Sequence, residues 1–429
     1  MSMTTLGFLM VAVVTFLVLT NRVNLVIVFS VVPIIFALLG KFSPLDIGNF
    51  VTSGVNSTFT AVVLILFAVA FFSLLSETCM FDVMVNAILK VSKSNRLVIL
   101  LSTVVIAFIA HLDGSFNTTY LITIPALLPL YKKLGIDKKY LLLLTVLAAV
   151  PMTALPWSSV AVMVATFAEI NPVVMWKALL PMQAAGLVFC VLVAFFIEFV
   201  TYKGKANAAV QSADSESQID FSKRPLARPK FFWINFLIFI GCIVALLFVK
   251  LPTYLIFMLF FDITLLINYP QTQIQKQLIN KYCPTMLNPC LIFLAIGVMV
   301  GVMKDSGMVK GMIDALLTLI PASAAKYTHV IMAIFSVPIL VVIPYQLFYS
   351  IFPILIGIAA NFGISPMASI MVFTLLYGSQ CSPMVAAANL CAELGETEIT
   401  VHCRNLFFPV WLACIVSVLA GVISGGMFL

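Results

Sequence analysis

Charged residues are scarce in this sequence. Only 9% of its 429 residues are Asp, Glu, Lys or Arg, and 63% are hydrophobic, whereas soluble domains are about 25% charged. This composition excludes a soluble globular protein. Apolar runs that approach the roughly 20 residues needed to cross a membrane recur along the chain, for example at 7–20, 60–75, 179–200 and 407–429. The sequence therefore predicts a helical membrane protein that crosses the bilayer several times.

The chain also lacks the signatures of common enzymes and metal sites. It has no GKS/T phosphate loop, no GxSxG and no HExxH, so neither hydrolase chemistry nor ATP-driven work by this chain alone is expected. The 9 cysteines form no CxxC pair, which favours small packing residues over a disulfide framework or a zinc site. We predict no enzyme activity, no cofactor and no firm metal site. The N-terminus MSMTTLGFLM has no basic region or cleavage site and is interpreted as a retained span.

A formal net charge of +7 could indicate a nucleic-acid partner. The basic residues lie instead between the apolar runs, which is typical of cytoplasmic loops in membrane proteins. We therefore expect contact with the cytoplasm and with anionic lipid headgroups rather than with nucleic acid.

The two halves of the sequence resemble each other at a spacing of 228 residues. Pro125 aligns with Pro353, and Gly135 aligns with Gly363. We predict a first repeat at 1–202, a polar linker at 203–230 and a second repeat at 231–429. Each repeat is expected to contain three spans, a short amphipathic segment, a re-entrant hairpin (97–131 and 327–362), a broken helix (138–170 and 366–392) and a closing span.

Five crossings per repeat would invert the second repeat relative to the first, which is typical of transporters that bind solutes near the membrane midplane. Threading the chain in this way places 17 of the 23 lysine and arginine residues on one side. The positive-inside rule makes that side cytoplasmic. Both termini are then predicted outside and the linker inside. If both hairpins crossed the membrane, the charge asymmetry would be weaker.

Four polar interruptions fall at corresponding places in the two repeats. Two are hairpin tips, LDGSFNTT (112–119) and IPYQLFYS (343–350), and two are helix breaks, VPMTALPWSS (150–159) and YGSQCSPMVA (377–386). Non-helical backbone at membrane depth requires burial in protein or a wet cavity. Helix N-termini attract carboxylates, and carbonyl and carboxamide oxygens suit cations. We therefore predict a central site for a small charged solute.

Asp113 is the only acid in a tip. An unpaired carboxylate at the bilayer centre costs about 2.5–3.5 kcal/mol, so the residue caps the second arm, is exposed to water, or binds a coupling cation or proton. We assign the coupling ion to Asp113, Gly114, Ser115, Asn117 and Gln380, and Asp113 is the only candidate metal ligand. The predicted substrate contacts are Thr118, Thr119, Pro156, Trp157, Ser158, Ser159, Gln346, Tyr349, Ser382, Pro383 and Asn389.

The segment LDGSFNTTYLITIPALLPLYKKLGI resembles the signature of the citrate–metal–proton symporter family, within the wider ion-transporter superfamily. PWSS (156–159) is similar to the family's PWGG break, SPMV (382–385) to its SPLV break, and the run 344–355 to its second tip. The likeness extends in order over nearly the whole chain. It implies ion-coupled transport of citrate complexed to a divalent metal, a homodimer, and an elevator-like movement of the hairpin-bearing part against a scaffold.

The departures from the family pattern affect the expected substrate. Ser115 and Phe116 replace the Asp-Gly of the first tip, Tyr345 replaces the acid of the second tip, and Ser158 and Ser159 replace two glycines. Fewer acids favour a free carboxylate, or a different anion, over a metal complex. We predict a secondary transporter of citrate or a related di- or tricarboxylate, coupled to protons or sodium. A cation–proton antiporter and a non-transport membrane scaffold are the alternatives.

Overall fold

A computed structural model of the chain describes residues 2–20, 22–91, 95–202, 224–318, 328–342, 348–365 and 376–425. Within these ranges the regular structure is helical and contains no strand, which confirms the predicted all-α fold. The predicted second tip falls largely at 343–347, and the start of the second broken helix falls at 366–375. Both lie outside the described residues, as does most of the linker.

The helices are numbered here in chain order. The first half contains α1 (Met3–Thr20), α2 (Leu25–Leu39), α3 (Pro44–Glu77), α4 (Met80–Val91), α5 (Arg96–Ala110), α6 (Phe116–Lys133), α7 (Lys138–Ala149), α8 (Ser159–Phe167) and α9 (Pro172–Phe196). The second half contains α10 (Phe232–Phe248), α11 (Thr253–Asn268), α12 (Thr272–Asp305), α13 (Met308–Leu317), α14 (Thr328–Val342), α15 (Phe348–Asn361), α16 (Ala386–Leu394) and α17 (Ile399–Ile423).

Eight helical stretches in the described residues are long and apolar enough to cross a membrane, so the chain is a multi-pass membrane protein. They are Met3–Thr20, Pro44–Glu77, Arg96–Asp113, Lys138–Phe167, Pro172–Thr201, Pro229–Phe248, Thr272–Asp305 and Ile399–Ile423. The predicted spans at α2 and α11 form shorter apolar helices. Arg96–Asp113 has sufficient length to cross, and its role as a hairpin arm that does not cross stays a prediction.

Helix lengths recur between the two halves. The helices α3 and α12 have 34 residues each and begin 228 positions apart. The helices α9 and α17 have 25 residues each and begin 227 positions apart. These spacings match the offset of 228 residues found in the sequence, and both the repeat and the inverted relation of the halves stay predictions.

The helices form two hydrophobic cores, and each core combines both halves of the sequence. The frame core contains α1–α3 and α10–α13, with α3 packed along α12. The hairpin core contains α5–α7, α9, α14 and α17. The short helices α8 and α15 contribute side chains to both cores. The first tip and the described parts of both breaks are therefore attached to the hairpin core or lie at its boundary with the frame core.

Glycines allow the two longest helices to touch. A Cβ atom on Gly54 of α3 would lie 2.0 Å from the Gly297 carbonyl oxygen and 2.7 Å from the Gly301 nitrogen of α12. Small residues spaced four apart allow this close backbone approach in membrane helices. The α3–α12 crossing therefore holds the frame core together.

The end of the linker docks beside the turn between α3 and α4. Arg224 forms an ion pair with Asp82 at 2.7 Å, and the Asp82 side chain is only 4% exposed. The backbone N–H of Arg228 donates to the Thr78 carbonyl at 3.1 Å. Together, the ion pair and the backbone bond fix the start of α4. This helix leads from the frame core to the hairpin core.

Gly54→Ala should destabilise the protein by about 2 kcal/mol, because the added methyl group overpacks a backbone contact. Gly48→Ala is the matched control, since it lies on the same helix with nothing within 4 Å of its added Cβ. It should be neutral or slightly stabilising. Thermal unfolding of the purified variants in detergent measures both effects. Equal melting temperatures for the two variants would refute the close crossing.

Candidate functional site

The first tip is a short turn that is closed by hydrogen bonds to its own side chains. A 3-10 turn at His111–Asp113 ends at Gly114, whose φ of +73° lies in the left-handed region that glycine tolerates. Asp113 Oδ1 accepts a hydrogen bond from the Ser115 N–H at 2.8 Å. Ser115 is the N-cap of α6, and its hydroxyl accepts from the Thr118 N–H at 3.4 Å. Asp113 therefore closes the turn while Ser115 caps the helix.

A buried histidine stabilises the same tip by a side-chain hydrogen bond. His111 Nδ1 lies 2.7 Å from the Thr119 hydroxyl, which donates to the Ser115 carbonyl at 2.8 Å. Because the single hydroxyl proton is used in that bond, Nδ1 is assigned as the donor. His111 and Thr119 are both fully buried. In this conformation Thr119 therefore supports the tip from inside, whereas Thr118 is half-buried at its surface.

The first break packs directly against the first tip. Trp157 donates from Nε1 to the Leu112 carbonyl at 2.7 Å. A Cβ atom on Gly114 would lie 3.3 Å from Ser158. The Trp157 ring also stacks on Phe72 of α3, with ring centroids 5.4 Å apart. Trp157 thus satisfies a carbonyl of the tip and packs against the frame core.

Two adjacent serines in this break have different environments. The Ser158 hydroxyl donates to the Thr153 carbonyl and accepts from the Ala161 N–H at 3.3 Å, so this buried residue is the N-cap of α8. Ser159 is exposed at the first position of α8, and Pro156 is buried. Of the two predicted contacts, Ser159 is therefore the exposed one, while the hydrogen bonds of Ser158 hold the break together.

The second break is joined to the first hairpin by a buried hydrogen bond. Tyr120 of α6 donates its hydroxyl to Gln380 Oε1 at 2.8 Å. Both side chains are almost completely buried. The Gln380 amide donates in turn to the Ser379 hydroxyl at 3.3 Å. The first hairpin and the second break therefore share one polar network, although they are 260 residues apart in sequence.

Side-chain hydrogen bonds also hold the second break in place, both to α14 and to the start of α16. The Ser382 hydroxyl donates to the Val341 carbonyl of α14 at 3.3 Å. Asn389 donates from its amide to the Pro383 carbonyl at 2.8 Å. The 3-10 segments Val150–Ala154 and Leu376–Cys381 pack against each other. The two breaks therefore meet beside the first tip.

The structure brings together most of the residues predicted for the site. The first tip contributes Asp113, Gly114, Ser115, Asn117, Thr118 and Thr119, the first break contributes Pro156, Trp157, Ser158 and Ser159, and the second break contributes Gln380, Ser382, Pro383 and Asn389. Gln346 and the Tyr349 side chain lie outside the described residues. The bridging role of Tyr120 was missed, because its neighbour Gln380 cannot be found from local sequence.

Polar residues remain accessible beside the two helix N-termini of this cluster. Asn117 and Ser159 are exposed, and Asp113 and Thr118 are half-buried. These residues lie at or near the N-termini of α6 and α8, where partial positive charge and unpaired N–H groups favour carboxylates. Within the described ranges, no group of three or more His, Cys, Asp or Glu could hold a metal ion.

Tyr120→Phe should cost about 1–3 kcal/mol, because it leaves the buried Gln380 oxygen without its donor. Tyr120→Phe and Gln380→Ala should be less than additive in a double-mutant cycle, since both remove the same bond. Tyr254→Phe is the control, because the structure gives its hydroxyl no hydrogen bond to any described residue. Melting temperatures of the purified variants test this coupling, and full additivity would contradict it.

Comparison with known proteins identifies the family. The profile of the citrate transporter family matches residues 5–378. A citrate transporter of Bacillus subtilis (strain 168) is 31% identical over 360 residues, which cover 84% of each chain. A Mg(2+)/citrate complex secondary transporter of the same organism is 29% identical over 435 residues, covering 98% of each chain. These relatives are named as transporters, not enzymes. The chain belongs to the citrate transporter family.

Proposed function

We propose that this protein is a secondary active transporter of citrate or a related di- or tricarboxylate, driven by a proton or sodium gradient. The observation that carries the proposal is the meeting of the first tip with both breaks. The N-termini of α6 and α8 contribute to this cluster, and each leaves polar groups accessible. The family membership and the relatives named for citrate support the substrate class.

Two helix ends are suited to a substrate that carries several carboxylates. Ser115 and Ser158 occupy the N-cap positions, so one N–H in the first turn of each helix is already bonded. The remaining first-turn N–H groups, together with Thr118 and Ser159, are proposed to bind separate carboxylates of one substrate. A monocarboxylate could engage only one helix end and should bind more weakly.

We propose that free citrate is preferred over its magnesium complex. One relative is named as a Mg(2+)/citrate complex transporter, so the complex is the alternative to be tested. The first tip of this chain has Ser115 and Phe116 where the resembled family has Asp and Gly. Magnesium favours carboxylate oxygens, and Asp113 is the only acid in this tip.

Asp113 is proposed to bind the coupling ion. Its carboxylate lies at the turn that leads into α6 and accepts from the Ser115 N–H. Charging or neutralising this carboxylate would change the hydrogen bonds that close the tip. The coupling ion and the shape of the tip would thereby be linked.

The two hydrophobic cores favour an elevator-type movement in which the hairpin core moves against the frame core. The tip and both breaks are bonded to each other, so they would travel as one body. We further propose a homodimer, with both termini outside and the linker in the cytoplasm. The dimer rests on the family resemblance, and the orientation rests on the charge distribution along the sequence.

Asp113→Asn should lower gradient-driven citrate accumulation at least about tenfold, because the amide cannot carry the charge of the coupling ion site. The Asn oxygen can still accept from the Ser115 N–H, so the tip should stay folded. Uptake of labelled citrate into proteoliposomes, with imposed proton or sodium gradients, measures the effect. Asp262→Asn is the control, since Asp262 is an exposed acid on α11. Normal coupled uptake by Asp113→Asn would rule out the assigned role.

Ser115→Asp combined with Phe116→Gly should shift the preference toward magnesium citrate, because it restores a second acid to the tip. Ser115→Asn combined with Phe116→Gly is the matched control, since Asn caps a helix about as well as Asp but carries no charge. Uptake is compared with and without excess magnesium. The same magnesium response in both double variants would contradict the proposed role of the missing acid.

A further inference from the structure

A second cavity, with hydroxyl and charged groups in its walls, lies outside the cluster of the first tip and the breaks. A cavity of about 350 Å³ opens between α3, α12 and α13 of the frame core and the boundary helices α8 and α15. Four hydroxyl-bearing residues contribute to its walls, namely Ser53, Ser57, Thr58 and Thr166. Its charged lining residues are Lys304 and Glu169. Hydroxyl and charged groups are therefore present in an otherwise largely apolar wall between the two cores.

Lys304 and Glu169 form an ion pair across this cavity. Lys304 Nζ lies 3.1 Å from Glu169 Oε1, and the two side chains are 66% and 75% exposed. Lys304 belongs to the last turn of α12, whereas Glu169 follows the end of α8. An ion pair this open to water contributes little to stability, so its ammonium group can exchange one carboxylate for another at low cost.

The backbone at Glu169 is unusual. Its φ of +56° lies in the left-handed region, which non-glycine residues seldom adopt and which costs free energy. Glu396, 227 positions later, also has a left-handed φ of +51°. Its carboxylate pairs with Lys132 at 2.8 Å, and Lys132 belongs to α6. Of these two glutamates, Glu169 is the one that pairs with a lysine of the frame core, at a cavity between the two cores.

We infer that Lys304 is an anion-capture site for the transported carboxylate, and that Glu169 occupies the ammonium group until the substrate displaces it. This inference rests on the proposed transport of citrate and adds an entry site to it. The helix α8 runs from Ser159 in the site to Phe167 at the cavity, so the two places are roughly 13 Å apart along a nine-residue helix. The predicted topology places Lys304 outside, where citrate would arrive.

If Lys304 captures the substrate, the two variants should change the KM for citrate in opposite directions. Lys304→Gln removes the cation, so it should raise the KM for citrate about fivefold, the size expected for one water-exposed charge contact. Glu169→Gln removes the competing carboxylate, so it should lower the KM about threefold on the same grounds. If the pair only latched the two cores together, both variants would break it and shift transport in the same direction.

The test measures citrate uptake into cells as a function of external citrate, for the full-length wild type, Lys304→Gln, Glu169→Gln and the control Glu396→Gln.

Capture predicts opposite KM shifts for Lys304→Gln and Glu169→Gln, with turnover within about twofold of the wild type. The KM of the control Glu396→Gln should be unchanged. The KM of the wild type should also rise with ionic strength more steeply than that of Lys304→Gln. Equal or like-signed KM shifts would overturn the inference while leaving the proposed function intact. Absence of uptake of any di- or tricarboxylate by the wild type would instead refute the proposed function.

Discussion

The fold of this protein depends on satisfying broken backbone inside an apolar environment. Each unwound segment exposes carbonyl and N–H groups that lipid cannot satisfy. In the described residues, side chains from other segments bond to some of these groups. Trp157 of the first break donates to the Leu112 carbonyl of the first tip, and Ser382 of the second break donates to the Val341 carbonyl of α14. A side-chain bond from Tyr120 to Gln380 then joins the first hairpin to the second break. The same contacts that make the breaks tolerable also assemble the site.

This arrangement has a mechanical consequence. Because the tip and both breaks are bonded to each other, they form one unit within or beside the hairpin core. The frame core is held separately, by the close crossing of α3 and α12 at Gly54 and Gly301. The boundary between the cores is formed by short helices and contains a cavity with hydroxyl and charged groups in its walls. A division into two internally well-bonded bodies is what a rigid-body transport movement requires.

Much of the architecture follows from sequence because its cause is local. Scarce charge and recurring apolar runs predict the membrane helices, and polar runs with Gly and Pro predict the tips and breaks. Finer assignments depend on helix phase and on contacts distant in sequence. Ser158 and Ser159 are equivalent in sequence, yet one caps α8 and the other is exposed. Nothing local pairs Tyr120 with Gln380, because their contact exists only once the hairpin and the break have packed.

The position of bound citrate tests the central claim most directly. An experimental structure of the purified protein in saturating citrate should show the substrate against the N-termini of α6 and α8, in contact with Thr118 and Ser159 and within reach of Asp113. Citrate bound only elsewhere, with no density at these two helix ends, would contradict the proposed site.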